Sequence, residues 1–81
     1  MKTIKTLKEL KTICKNKEVE VNIILGDSLY STKEITYDNK NKSWTIYNYI
    51  CGDYETYKND NELKKHYPLF IEAILNNCVR Y

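Results

Sequence analysis

The sequence predicts a two-layer α+β domain over residues 1–81, with helices on one side of a three-stranded antiparallel sheet in the order αβββα. Three observations carry this. Apolar residues recur every three or four positions near both ends of the chain, which is the period of a helix with one buried face. Between the ends they alternate, which is the period of a half-buried strand. And 81 residues can enclose one hydrophobic core but not two, so a single domain is expected.

Each element has its own signal. Ile4, Leu7, Leu10, Ile13 and Cys14 share a helical face, and Thr6-x-x-Glu9 forms a capping box in which Thr6 accepts from the Glu9 amide. Lys2, Lys5, Lys8, Lys11 and Lys15 fill the opposite side, and Asn16 offers a left-handed cap where the helix stops. From Glu18 the period becomes two. Val19, Val21, Ile23 and Leu25 lie on one face, with Glu18, Glu20, Asn22 and Ile24 on the other.

Gly26 begins a short turn into a second strand, Leu29 to Asp38; the polar loop "NKNK" joins this to a third, Ser43 to Cys51. A loop centred near Lys40 and Asn41 sets Tyr37 opposite Trp44, Ile35 opposite Ile46 and Lys33 opposite Asn48. Trp44, Ile46 and Ile50 then point inward, while Tyr30, Thr32, Glu34, Thr36, Thr45, Tyr47 and Tyr49 collect on the other face. Beyond Gly52, "DYETYKND" reads as an acidic, aromatic loop. Asn59-x-x-Glu62 caps the last helix, which Pro68 breaks into two pieces; Leu63, Tyr67, Leu69, Phe70, Ala73, Ile74 and Cys78 mark its buried face.

Composition narrows the class of function. No run approaches the roughly 20 apolar residues of a membrane span, and the lysine-spaced N-terminus is not a signal peptide, so the protein is expected to be soluble and cytoplasmic. Cys14, Cys51 and Cys78 form no CxxC pair and lie far in sequence from His66, the single histidine, so no metal site is expected. An odd number of thiols suits a reducing compartment. With two glycines in all, a phosphate-binding loop or a dinucleotide fingerprint is excluded, and no cofactor is expected. His66 has lysines beside it and no nucleophile, and Asp53 and Glu55 have no Gly-rich loop or convergent pocket around them; the chain is not expected to be an enzyme.

Charge is segregated along the chain. Residues 1–17 carry net +5, residues 18–38 net −4 and residues 51–62 net −3, so the overall +2 conceals a strong dipole that favours a charged partner. Tyrosines supply large contact area at low entropic cost and keep a polar tip. Tyr30, Glu34, Tyr47, Tyr49, Asp53, Tyr54, Glu55, Tyr57 and Asp60 are therefore the expected partner-binding residues, facing a protein with a basic surface. Lys, Asn, Ile and Tyr, all with AT-rich codons, make 38 of the 81 residues, so an AT-rich genome explains much of the tyrosine count without any function.

In size, element order and charge layout the chain resembles the small inhibitors encoded by phages and mobile elements, anti-CRISPR proteins among them. The resemblance implies a non-enzymatic inhibitor in a bacterial host cell, its acidic side chains standing where phosphates lie in a nuclease or CRISPR effector. The rival expectation is an RNA- or DNA-binding domain, since the element order is also similar to that of double-stranded RNA-binding domains. Lys5, Lys8, Lys11, Lys64 and Lys65 would carry it, although "NDNE" and "HYPLF" replace that family's Lys- and Ala-rich helix start. A homodimer pairing strand edges or tyrosine faces is a third arrangement.

Overall fold

Strand structure extends well beyond the three runs whose alternation announces it. A computed structural model describes residues 2–49 and 51–81. They form β1 (Thr3–Ile4), α1 (Leu7–Ile13), β2 (Val19–Leu25), β3 (Ser28–Asp38), β4 (Ser43–Asn48), β5 (Asp53–Tyr57), α2 (Asp60–His66), α3 (Pro68–Leu75) and β6 (Val79–Arg80). The strands make one antiparallel sheet in the order β1-β6-β2-β3-β4-β5. Ile50, expected inside beside Trp44 and Ile46, lies outside the described residues.

The class is α+β, but the three-stranded αβββα arrangement is wrong in three places. Thr3 and Ile4 do not open the first helix; they pair with Arg80 and Val79. Helix α1 begins only after Thr6, whose hydroxyl caps the Glu9 amide at 3.1 Å. The segment after Gly52 is not a loop, because the chain turns on Gly52 (φ +71°) with its amide bonded to Asn48 O at 2.8 Å, and Asp53–Tyr57 returns along β4. The last residues are not helical either. Asn77 takes a left-handed φ of 60°, its amide bonds Ile74 O and that of Cys78 bonds Ala73 O, a Schellman ending that turns the chain into β6 between β1 and β2. Cys78 therefore sits past the helix rather than on its face.

Elsewhere alternation governs the register. Tyr37 pairs with Trp44, Ile35 with Ile46 and Lys33 with Asn48, so Tyr37, Ile35, Trp44 and Ile46 face one way and are buried. Val21, Ile23, Ile4 and Val79 continue that face, and Leu10, Cys14, Leu63, Phe70 and Ile74 cover it from the helices in one core. Tyr37 and Trp44 stack at a tilt, ring centroids 4.7 Å apart. Pro68 sits at the start of α3, where it needs no hydrogen-bonded amide, and so divides α2 from α3 at Tyr67. With the helices drawn to one face by the core, none of the described elements forms a layer over the other face of the sheet.

Candidate functional site

That open face carries the side chains at the alternate positions: Thr3, Arg80, Glu20, Asn22, Glu34, Thr36, Thr45, Tyr47, Tyr54 and Thr56. Tyr47 is the hub of its aromatic part. Its ring lies 4.8 Å from that of Tyr54, its partner on β5, and 5.2 Å from that of Tyr49, which follows the end of β4; both contacts are edge-to-face, the favourable arrangement for π quadrupoles. Tyr49 and Tyr54 are 47% and 63% exposed, so the cluster is a surface rather than a second core.

Carboxylates border the rings. The Tyr49 hydroxyl donates to Glu34, a bond that pushes the phenol up to about 12. Glu34 pairs directly across the sheet with Glu20, and like charges directly opposite each other are unfavourable. Glu18, just before β2, also reaches Glu34. Their hydrogen bond raises the Glu18 carboxyl above its ordinary value and, with the Tyr49 hydroxyl, holds Glu34 below its own. Three carboxylates and three phenol rings on one uncovered patch match a cationic side chain, which gains an ion pair at the acids and a cation–π contact at the rings.

Five of the nine expected binding residues lie elsewhere. Tyr30 is displaced by a bulge. Ile23 pairs with Ser31 but Ile24 with Leu29, so Tyr30 has no partner on β2, and its ring lines a groove with Ile23, Lys33 and Phe70 on the helix side. Asp60, the first residue of α2, accepts from the Trp44 indole N–H at 2.9 Å and pairs with Lys11. Burial pushes the Asp60 carboxyl up, but the bonds from Lys11 and Trp44 outweigh it and hold the group below the usual carboxylate range. Asp60 is therefore a clamp between layers. Tyr57 opposes Trp44 and half-buries, its hydroxyl donating to Glu55 at 2.6 Å; burial first, then that bond, raises the phenol. Asp53 is exposed on β5 at the position opposite Asn48, off the tyrosine face.

The residues gathered from the expected set are thus Glu34, Tyr47, Tyr49 and Tyr54. Glu18 and Glu20 join them without having been singled out, although their alternation on the polar side of β2 was the available signal. His66 stacks on Tyr57, rings 5.9 Å apart, and among the described residues no thiol or hydroxyl nucleophile is bonded to it. Among the described residues no group of three or more His, Cys, Asp or Glu side chains is placed to hold a metal ion. No helix among them is long and apolar enough to cross a membrane.

The lysines take the opposite side. Lys8, Lys11, Lys15 and Lys42 border one concavity with Tyr37, and Lys64 and Lys65 lie in the last turn of α2. Comparison with protein-family models, curated proteins and solved structures finds no match for this chain.

Proposed function

We propose that the protein is a non-enzymatic, protein-binding inhibitor whose partner presents an arginine- or lysine-rich surface of the kind that holds nucleic acid. The observation that supports it is the open sheet face, where Tyr47, Tyr49 and Tyr54 lie beside Glu18, Glu20 and Glu34. Setting Glu20 opposite Glu34 works against folding. A surface that binds cations gives that opposition a use, because a bound guanidinium or ammonium neutralises it. The acids of β2 and β3 lie along one side of the tyrosine rings of β4 and β5, so a partner spanning the four strands meets charged and aromatic contacts side by side. With the αβββα order overturned, only the chain's size and charge layout remain of its resemblance to phage and mobile-element inhibitors, and these make CRISPR effectors and other nucleases the partner class to test.

The test is competition. Guide-loaded CRISPR effectors and a panel of purified nucleases are bound to fluorescent DNA, and the protein is titrated in at increasing salt. Displacement from at least one of them is expected, lost in Tyr47→Ala and in Glu34→Lys and weakened by salt, since the steering is electrostatic. Displacement that survives both substitutions refutes the site. The lysine concavity on the helix side favours the rival reading, direct binding of nucleic acid. A gel shift with duplex RNA and DNA decides it: binding by the protein alone, falling steeply with salt, replaces the inhibitor reading.

A further inference from the structure

Lys33 occupies an anomalous position. It lies on the core-facing side of β3 between Ile35 and the bulge at Tyr30, and only 6% of it is exposed. A buried ammonium requires compensation, and it has three N–H groups to place. Among the described residues it receives one neutral acceptor, Asn48 Oδ1 at 3.2 Å, and a ring, Tyr67, at 5.9 Å; no carboxylate comes within ion-pair distance. Lys11, far more accessible, does have such a partner in Asp60.

Lys33 lines a groove of about 450 Å3 between α3 and the β2–β3 hairpin, a size within the range of small-ligand sites. Its walls are largely apolar: Ile23, Leu25, Phe70 and Ala73. The bulge in β3 adds the Tyr30 ring, and Leu69, 74% exposed, stands at the edge. Among the described residues of the lining Glu72 is the one carboxylate. It leaves the site suited to a ligand with a single negative charge placed deep, at Lys33, and unsuited to a multiply charged phosphate.

We propose that this groove binds a small apolar monocarboxylate of the medium-chain fatty acid class, with the carboxylate on Lys33 Nζ and the alkyl chain against Tyr30, Phe70 and Ala73. The carboxylate supplies the ion pair that Lys33 lacks, and the chain covers the apolar wall. The site lies on the opposite side of the sheet from the tyrosine face, so its failure leaves the inhibitor reading untouched.

Amide NMR of the full chain, titrated with decanoate below its micelle concentration, tests this directly. Saturable shifts are expected at Tyr30, Lys33, Phe70 and Ala73, with affinity about tenfold or more above that for decanol, the margin of one charge-assisted bond. Decylammonium should produce none. In Lys33→Met the preference for decanoate over decanol should vanish; if that variant does not fold, the ranking of the three ligands on the native protein decides. Absence of saturable shifts in the groove, or decanol binding as tightly as decanoate, overturns the proposal. Leucyl-leucine saturating the groove at about tenfold lower concentration than decanoate also overturns it, by assigning the site to a peptide C-terminus.

Discussion

Asp60 offers the sharpest test of the structural reasoning, because sequence patterning placed it on a binding surface and the fold makes it a brace. In Asp60→Ala the Trp44 indole N–H, on a residue with no exposed surface, loses its acceptor at 2.9 Å. An orphaned buried donor costs about 1–3 kcal/mol. The ion pair to Lys11 is also lost, but both side chains are 31% exposed, so solvent screening limits it to a few tenths of a kcal/mol or about 1 at most. The sum is about 1–4 kcal/mol, centred near 2–3, a large fraction of the stability of a chain this short.

Asp60→Asn separates the two parts, since it keeps an oxygen for the indole and loses only the charge; Lys11→Met does the same from the other side. Both should cost under about 1 kcal/mol. Urea unfolding followed by the fluorescence of Trp44, the single tryptophan, reads all three variants. The Asp60→Ala midpoint in a thermal scan should fall by about 10–20 °C for a domain of this size. The depressed carboxyl adds a pH signature. Its contribution is present above the unfolded value of 3.8 and is lost as pH falls through the lower folded value, so the gap between native protein and Asp60→Asn closes in acid. Asp60→Asn as damaging as Asp60→Ala would refute the indole clamp.

Other consequences follow from burial and charge. Cys14 is buried, and burial, opposed slightly by Lys17, pushes its thiol up to about 12; Cys51 is exposed. A thiol reagent at pH 8 should therefore label Cys51 first and Cys14 only in denaturant, and a single rate for all three cysteines would contradict the packing. Glu18→Gln should raise the melting temperature at pH 7. The raised Glu18 carboxyl stabilises the fold only while it holds its proton, and that contribution disappears as pH rises through the folded value, whereas an amide can donate to Glu34 at any pH. The gain should shrink below about pH 4.5, the ordinary value of that group, and an equal gain at both pH values contradicts the shared hydrogen bond. Val79→Ala removes two fully buried methyl groups from the two-residue strand joining β1 to β2 and should cost about 2 kcal/mol in urea unfolding; an effect near zero would mean that β6 is not part of the core.

Much of the candidate site could be read along the chain. Glu34, Tyr47 and Tyr49 follow from alternation in β3 and β4, and the Tyr37–Trp44 register follows from a polar loop of known length between them. Tyr54 belongs to the expected surface, but it reaches Tyr47 from a strand and not from a loop. Asp53-Tyr54-Glu55-Thr56-Tyr57 contains residues disfavoured in strands and shows no apolar face, because an edge strand buries little. Alternation alone puts Tyr30 on the wrong face, because one unpaired residue reverses every side-chain direction beyond it.

By itself the sequence determined the caps at Thr6 and Asn59, the break at Pro68, the three long strands and the separation of lysines from acids. These depend on neighbours three or four residues away, or on a strict period of two, and need no knowledge of distant contacts. Only the tertiary structure decided that the sheet has six strands, that the two ends of the chain meet in β1 and β6, and that Asp60 belongs to Trp44 and Lys11. Strands of two residues are too short to display a period; they exist because Ile4 and Val79 complete a core built by residues far away in sequence. The same core draws all three helices to one side of the sheet and leaves the tyrosines and carboxylates on the other facing solvent.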